Sequence, residues 1–258
     1  MPDAPVPAIR AERLTRKYGE QVAVDALELV VPAGAFYGFI GPNGAGKSTT
    51  INMLTGLIGP TSGRAEILGL DVAQDPLGVK RAIGVVPDGL ALFERLTGRE
   101  HLVFTARLYG LARREAARRA DELLAAVELT ADANKLAGQF SHGMRKRLAL
   151  ACALIHGPRV AFLDEPFEGM DAVSRESLQQ LLASLVRGGS LTVFLTSHEL
   201  ATVERLCTHL GVLVKGRLAA AGTPDEVRAL VPGAATLQEA FVALVGGGRE
   251  RASGLSFF

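Results

Sequence analysis

The chain has 258 residues, a formal net charge of +1 and 48% hydrophobic residues. This length is ample for a well-buried core in one large domain or two closely packed lobes. The near-neutral charge argues against a general nucleic-acid-binding protein, which usually carries a marked basic excess. The two cysteines, Cys152 and Cys207, are too few for a disulfide framework or a zinc site and are consistent with a reducing cytoplasm.

No targeting or membrane-spanning segment is predicted. Residues 1–7 lack the basic and apolar regions of a signal peptide. Residues 29–46 carry no charge and are almost long enough to cross a membrane, but Pro32, Pro42 and five glycines would make them a poor helix. We therefore expect a buried strand and a loop there, in a soluble protein whose link to a membrane comes through a partner.

The first third of the chain has the pattern of short strands around one helix. Alternating or β-branched apolar residues, with turns near Gly19 and Asp25, predict strands at 9–14, 27–31, 36–40, 65–68 and 83–86. The strand at 36–40 leads into a glycine-rich loop, and a helix is predicted to leave that loop at 49–57.

Helical periodicity dominates from residue 97 to residue 156. Thr97 and Glu100 have capping-box spacing, which predicts the start of a helix to about residue 109. Thr223 and Thr236 open further capping boxes before two short C-terminal helices. The remaining predicted helices lie at 112–127, 141–156, 172–187 and 198–206. The remaining predicted strands lie at 160–163, 192–195 and 211–214.

This order of elements predicts an α/β fold with a parallel-sheet core, an N-terminal antiparallel β region and an inserted helical subdomain. We expect a single domain over residues 1–245. Within it, the core, the helical subdomain and the C-terminal helices are predicted at 1–88 with 158–226, at 89–157 and at 223–245. Residues 246–258 are expected to form a flexible tail.

Residues 41–48 fit the phosphate-loop pattern G-x-x-x-x-G-K-[ST] completely. Glycines let backbone N–H groups turn inward around an anion, and the following helix points its positive end at the phosphates. Lys47 would add a full charge at the β- and γ-phosphates, and the Ser48 hydroxyl would bind Mg²⁺. A chance glycine-rich turn is the alternative, but the flanking strand and helix are where a nucleotide needs them. The predicted nucleotide-binding residues here are Gly41, Asn43, Gly44, Ala45, Gly46, Lys47, Ser48 and Thr49.

Asp164 and Glu165 follow the apolar strand at 160–163. An acid at the carboxyl end of a parallel strand faces the crevice where ligands bind. We expect Asp164 to hold Mg²⁺ through water and Glu165 to polarise the water that attacks the γ-phosphate. Strand ends are also acidic simply because they meet solvent, but the phosphate loop favours the catalytic interpretation.

Residues 140–147 read Phe-Ser-His-Gly-Met-Arg-Lys-Arg. With the phosphate loop and the acids, this segment resembles the signature segment, usually written LSGGQ, of the ATP-binding subunits of ABC transporters. The resemblance extends from residue 9 to about residue 245. It implies that Ser141, His142 and Gly143 contact the γ-phosphate bound on a second subunit, so that ATP joins two copies head to tail. Ser141 and Gly143 match the family pattern, whereas the departures from it are Phe140, His142 and Met144. Ser141 is also a good helix N-cap in its own right.

Further residues take their expected roles from the same resemblance. Residues 168–171 resemble the D-loop, in which Asp171 contacts the partner subunit. His198 resembles the switch histidine that contacts the γ-phosphate, and Tyr18 resembles the aromatic residue on which adenine stacks. Outside this context, His198 would be read as a surface residue and Tyr18 as a cover for the core edge.

Asp88 stands where the family usually has the glutamine of the Q-loop. A carboxylate can approach Mg²⁺ or accept from water, but it cannot donate a hydrogen bond as an amide does. The resemblance implies that Asp88 senses the metal and forms a hinge to the transmembrane partner. With residues 98–102 and the signature segment, the pattern is most similar to subunits that serve drug, antibiotic or polysaccharide exporters.

Arg113, Arg114, Arg118 and Arg119 are grouped on one predicted helix with acidic residues between them. A solvated helix face is the main interpretation. Contact with acidic lipid or with a cytoplasmic loop of a permease is the alternative.

The resemblance implies an ATP-binding and ATP-hydrolysing subunit that powers an export permease, with ATP and Mg²⁺ as cofactors. Lys47, Glu165 and His198 would be catalytic, and Ser48, Asp164 and Asp88 would hold the metal. The expected partners are a separately encoded transmembrane permease and a second ATP-binding subunit, identical or different, at the cytoplasmic face of the cell membrane; no nucleic acid is expected.

Two other functions compete with this one. A soluble ABC-type ATPase without a transport role usually joins two modules in one chain or carries a long coiled-coil insert. A regulatory subunit would bind ATP without hydrolysing it, and the altered signature segment and Asp88 keep that alternative open. A plain P-loop kinase or GTPase would not explain the signature, D-loop and switch residues together.

Overall fold

The computed structural model describes residues 6–246, and these residues build two β-sheets with helices around them. The predicted tail from residue 247 onward lies outside the described residues. The strands are β1 (Ile9–Tyr18), β2 (Gln21–Val31), β3 (Phe36–Ile40), β4 (Ser62–Ile67), β5 (Leu70–Asp71), β6 (Ile83–Val86), β7 (Val160–Leu163), β8 (Thr192–Ser197), β9 (His209–Val214) and β10 (Arg217–Gly222).

Helices pack on both faces of the larger sheet, and α3, α4 and α5 lie between β6 and β7 in the chain. They are α1 (Lys47–Leu54), α2 (Pro76–Ala82), α3 (Gly98–Leu108), α4 (Arg113–Ala126), α5 (His142–Leu154), α6 (Ala172–Arg187), α7 (Leu200–Leu206), α8 (Pro224–Ala229) and α9 (Leu237–Gly246). Short 3₁₀ turns lie at Thr130–Asp132 and Ala137–Gln139. No helix within residues 6–246 combines the length and the apolar character needed to cross a membrane.

The smaller sheet is antiparallel and has the order β2-β1-β4-β5. Its first two strands form one long hairpin whose turn is at Gly19, as predicted. The second predicted turn, near Asp25, is wrong, because Asp25 lies inside β2. Ala26 has a φ of 45° there, and its N–H donates to the Thr15 hydroxyl at 3.0 Å. The residues that suggest a turn therefore form a bulge within a continuous strand.

The larger sheet has the order β10-β9-β3-β8-β7-β6, and only β10 runs antiparallel to its neighbour. Strands β3, β7 and β8 are neighbours, so their carboxyl ends meet at one edge. The loops that follow them, at 41–46, 164–171 and 198–199, therefore lie side by side. This is where open parallel sheets bind ligands.

Both faces of the larger sheet are covered, which explains why β3 is apolar at every position. Tyr37 and Phe39 face the antiparallel sheet, where they pack with Phe162 and Phe194. Alternate residues of the same strands, including Phe36, face the helices. The period of two along a strand assigns successive side chains to the two cores.

Two of the three predicted capping boxes are present at the starts of their helices. Thr97 and Thr223 each accept from the backbone of the Glu three residues later, and that Glu accepts in return. At Thr236 the hydroxyl accepts from Glu239 N, but the Glu239 carboxylate accepts from Ala235 N. The α/β fold with a parallel-sheet core and an antiparallel β region is confirmed, whereas the domain boundaries remain a prediction.

Candidate functional site

The phosphate loop at 41–48 connects β3 to α1 and is packed too closely for side chains at two of its glycines. A Cβ on Gly41 would lie 2.3 Å from the Leu213 carbonyl oxygen, and one on Gly46 would lie 2.4 Å from that of Ala23. Gly46 also has a φ of 107° and is the N-cap of α1, with no side chain to cap the helix. The first N–H groups of α1 are therefore left for an anion.

Lys47 is 8% exposed, and its ammonium group is held over the loop. Nζ donates to the carbonyl oxygens of Gly41 at 2.8 Å and Pro42 at 3.2 Å. Burial lowers the pKa of Lys47, and the nearby carboxylates of Glu165 and Asp164 oppose that shift. A buried cation held on carbonyl oxygens beside two acids is suited to binding phosphate oxygens.

Asp164 and Glu165 follow β7 and are joined through the buried hydroxyl of Thr196 on β8. Thr196 Oγ1 donates to Asp164 Oδ1 at 2.5 Å and accepts from Glu165 N at 3.0 Å. Asp164 is only 6% exposed. Glu165 has a φ of 47°, an uncommon backbone conformation for a residue with a side chain. The sharp bend separates the two carboxylates while the threonine holds both residues.

His198 lies just beyond the end of β8 and contacts the second acid. Its Nδ1 is 3.1 Å from Glu165 Oε2, and an N–H on that nitrogen donates to the carboxylate. The imidazole is 60% exposed, whereas the glutamate is 17% exposed. The histidine therefore orients Glu165 and also presents its other edge to the open space above the phosphate loop.

One pocket of about 870 Å³ collects most of the predicted site residues. Asp88, Asp164, Glu165 and His198 line it at the carboxyl edge of the larger sheet. The predicted nucleotide-binding residues that line it are Tyr18, Asn43, Gly44, Gly46, Lys47, Ser48 and Thr49. Gly41 and Ala45 are buried in the loop beneath, where Ala45 O accepts from Gly216 N at 2.9 Å.

Tyr18 forms one end of the pocket, at the tip of the β1–β2 hairpin. Its ring is 48% exposed, and the Arg16 guanidinium carbon lies 4.7 Å from the ring centre. Arg16 is held in place because its Nη1 donates to Gly59 O at 2.8 Å. The ring is thus supported by a cation and open to the pocket, as a stacking platform for a base requires.

The predicted signature residues and Asp171 lie outside this pocket, whereas Glu168, the first residue of the predicted D-loop, lines it. Ser141 is the N-cap of α5 and accepts from Met144 N at 3.2 Å, while Gly143 lies in the first turn. The His142 ring packs on the D-loop of the same chain, since a Cβ on Gly169 would lie 2.9 Å from His142 Cδ2. Asp171 is the N-cap of α6 and accepts from Ser174 N at 2.9 Å. Ser141, His142 and Asp171 are exposed.

Sequence analysis missed several residues of the site. The predicted strand ends one residue before Thr196, and Lys146 lies within the signature segment, whose resemblance gives it no role of its own. Lys215 lines the pocket from the β9–β10 turn, a hairpin that the pattern did not predict. Each of these residues depends on long-range neighbours, so no local pattern identifies its role.

The arginine-rich helix is explained by ion pairs along α4. Arg118 pairs with Glu115 and Glu122, and Arg119 pairs with Glu115, at spacings of three or four residues. These pairs are the i,i+3 and i,i+4 contacts of a solvated helix face. The simpler interpretation therefore accounts for Arg118 and Arg119 and stays a prediction for Arg113 and Arg114.

The pocket fits a nucleotide with a divalent cation. It combines an aromatic platform at Tyr18, uncapped N–H groups and a buried lysine at the phosphate loop, and acids beyond it. The Ser48 hydroxyl and the carboxylates of Asp88 and Asp164 line the same pocket and are hard oxygen donors, which is the donor type that Mg²⁺ prefers.

Curated relatives agree with this site. The chain is 42% identical to the daunorubicin resistance ATP-binding protein DrrA2 of Streptomyces coeruleorubidus, over 88% of this chain and 70% of that protein. It is 40% identical to the bacitracin transport ATP-binding protein BcrA of Bacillus licheniformis, over 81% of this chain and 68% of that protein. Both names describe ATP-binding proteins, one for resistance and one for transport.

Solved structures agree with the fold. A structure of an ATP-binding subunit of an ABC transporter matches with a TM-score of 0.85 and 34% identity, over 92% of this chain and 99% of that one. A dimeric structure of the cassette MJ0796, in a post-hydrolysis state bound to ADP and Pi, matches with a TM-score of 0.77 and 27% identity, over 83% and 98%. The ABC transporter family model matches residues 24–168. The chain therefore belongs to the ABC transporter family, as one of its ATP-binding subunits.

Proposed function

We propose that this subunit hydrolyses Mg-ATP and thereby powers an export permease made by a separate chain. The observation that carries the proposal is the shared pocket of Lys47, Ser48, Asp164, Glu165 and His198 at the carboxyl edge of the parallel sheet. Relatives named for daunorubicin resistance and bacitracin transport support export of a small molecule.

The residues of the pocket divide the chemistry as phosphoryl transfer requires. Lys47 and His198 stabilise charge on the γ-phosphate. Ser48, Asp164 and Asp88 would hold Mg²⁺, which would supply further positive charge beside the phosphates. Glu165 polarises the attacking water, with His198 orienting its carboxylate. Tyr18 stacks on adenine, and the Arg16 guanidinium lies over its ring.

A second ATP-binding subunit, identical or different, completes the site. Ser141, His142 and Gly143 lie on the outer side of the subunit and contact the γ-phosphate bound by the partner. Asp171 contacts the partner from the D-loop. The match to a dimeric cassette supports this arrangement. Bound ATP then holds the two subunits together, and its hydrolysis allows them to separate.

The permease docks beside Asp88, and this places the subunit at the cytoplasmic face of the cell membrane. Asp88 is exposed and lies between β6 and the helical segment. Large apolar side chains are exposed nearby on that segment: Phe93 at 58%, Phe104 at 42% and Leu108 at 70%. A helix in a cytoplasmic loop of the permease would cover such a patch.

Affinity capture of the native subunit from detergent-solubilised membranes tests the partner. We expect a transmembrane permease to co-purify and to raise the ATPase rate several-fold when both are reconstituted in lipid. Asp88→Ala should reduce that stimulation more than it reduces Mg-ATP affinity, whereas Lys80→Ala at an exposed site should change neither. Capture without any membrane protein would favour a soluble ATPase. Equal stimulation of wild type and Asp88→Ala would remove Asp88 from the coupling path.

A further inference from the structure

Helix α5 presents one face to the loop that carries the catalytic acids. His142 and Lys146 are four residues apart and so lie on the same side of the helix. The His142 ring packs on Gly169, and Lys146 Nζ donates to Glu165 O at 2.6 Å. The helix that begins at the signature segment is therefore in direct contact with the loop of its own subunit that carries Glu165.

Lys146 is a buried cation among carboxylates. It is only 4% exposed, although a lysine is almost never buried without a partner. Burial lowers the pKa of Lys146, while carboxylates around it raise it. In order of decreasing effect these carboxylates are Glu168, Asp88, Glu165 and Asp164. The side chain thus reaches from the helical segment to the loop that carries Glu165.

Glu165 depends on outside groups to keep its backbone in place. Its φ of 47° is unfavourable for a residue with a side chain. Its N–H donates to Thr196 Oγ1 at 3.0 Å and its carbonyl accepts from Lys146 at 2.6 Å. The peptide groups on both sides of the bend are therefore fixed, one from β8 and one from α5. Loss of either bond would let the carboxylate move.

We propose that Lys146 is a positioning residue for hydrolysis: it fixes the Glu165 main chain and connects the signature end of α5 to the base of the same subunit. The proposal rests on the proposed ATPase function. A subunit whose Ser141 and Gly143 engage the partner's ATP would then transmit that contact along α5 to its own Glu165. Asp88, at the hinge position, is also one of the carboxylates that act on Lys146. The same lysine is therefore linked to the signature end of α5, to Glu165 and to the hinge position.

Steady-state ATPase kinetics of the full chain test this role. The variants are Lys146→Met, which is neutral and cannot donate, Lys146→Gln, which is neutral and has a donor on a shorter side chain, and Lys146→Arg, which keeps both the charge and the reach of a donor to the carbonyl. We expect kcat to fall about tenfold or more in both neutral variants, with KM for Mg-ATP within about twofold of wild type. Lys146→Arg should recover to within about threefold of wild type. The exposed Lys80→Met is the matched control. If Lys146→Met does not fold, as judged by thermal unfolding, Lys146→Gln serves as the neutral variant.

Three results would overturn the proposal: neutral variants with kcat within twofold of wild type, a KM that rises as much as kcat falls, or an arginine variant as impaired as the glutamine one. The Glu165→Gln variant distinguishes a failure of the role of Lys146 from a failure of the proposed ATPase function. A wild type that does not hydrolyse ATP, or a Glu165→Gln variant as active as wild type, refutes the proposed ATPase. An active wild type with an inactive Glu165→Gln and an unaffected Lys146→Gln refutes only the role of Lys146.

Discussion

At the residue scale, a single hydroxyl orders both acids of the site. Thr196 is fully buried, donates to Asp164 and accepts from the backbone of Glu165. The backbone conformation of Glu165 costs of the order of 1–3 kcal/mol, which the surrounding bonds must offset. The placement of both acids therefore depends on a residue that does not itself line the pocket.

Thr196→Val should lower kcat about tenfold or more, because the isosteric side chain leaves Asp164 without its donor and Glu165 N without its acceptor. Thr192→Val is the matched control on the same strand, since the buried Thr192 hydroxyl accepts from Gly34 N at 2.9 Å, at the opposite end of β8. We expect both variants to lose stability and only Thr196→Val to lose turnover. Equal ATPase rates in the two variants would show that the hydroxyl does not position the acids.

Lys47→Ala should weaken Mg-ATP binding by about 2–3 kcal/mol, or roughly 30- to 150-fold in Kd, because a charge-assisted contact to the phosphates is lost. Isothermal titration calorimetry measures this directly. Lys80→Ala removes an exposed lysine and should bind like wild type. An unchanged affinity in Lys47→Ala would contradict the assignment of residues 41–48 to the phosphates.

At the scale of elements, a short apolar run predicts a strand well when nearly all of its residues are buried. Strands β3, β6 and β7 have the predicted bounds, and Thr97 starts α3. Two elements differ from the prediction. The predicted turn near Asp25 is a bulge within β2 whose backbone is bonded to Thr15. Strand β10, which was not predicted, is an edge strand rich in alanine. Helix α2 was also not predicted, although Asp75 as an N-cap before Pro76 is a local signal for the start of a helix.

Thr97→Ala should destabilise the protein by about 1 kcal/mol, because α3 loses its N-cap and the reciprocal bond of the capping box. This corresponds to a fall in Tm of about 2–4 °C for a chain of this size. Differential scanning calorimetry in the absence of nucleotide measures the change. A Tm equal to that of wild type would mean that the cap is not formed in solution.

The same capping box predicts that the stability of the protein depends on pH. Hydrogen bonds from Thr97 lower the pKa of Glu100 below its ordinary value of 4.5. The contribution of the carboxylate to stability is therefore full above about pH 4.5 and is lost as the pH falls through the lowered pKa. Glu100→Gln keeps an acceptor for Thr97 N and should lose this part of the pH dependence. If the stability of wild type and Glu100→Gln has the same pH profile, Glu100 does not contribute to the pH dependence.

At the scale of the whole molecule, the order of the strands makes the site. The residues of the pocket come from segments far apart in the chain, and they meet because β3, β7 and β8 are adjacent and parallel. Motif spacing predicted the phosphate loop and the two acids, since each carries a local pattern. Lys146 and Thr196 could not be predicted in this way, because their partners are 19 and 31 or 32 residues distant.

The molar mass of Glu165→Gln with and without Mg-ATP, measured by light scattering after gel filtration, tests the central claim most directly. An amide at this position cannot accept the proton of the attacking water, so ATP should bind and remain intact. We predict a change from the monomer mass of 27.2 kDa to twice that value only when Mg-ATP is present. Lys47→Ala in the same background should remain monomeric. A Glu165→Gln variant that binds Mg-ATP and remains monomeric, or that hydrolyses it at the wild-type rate, would contradict the account.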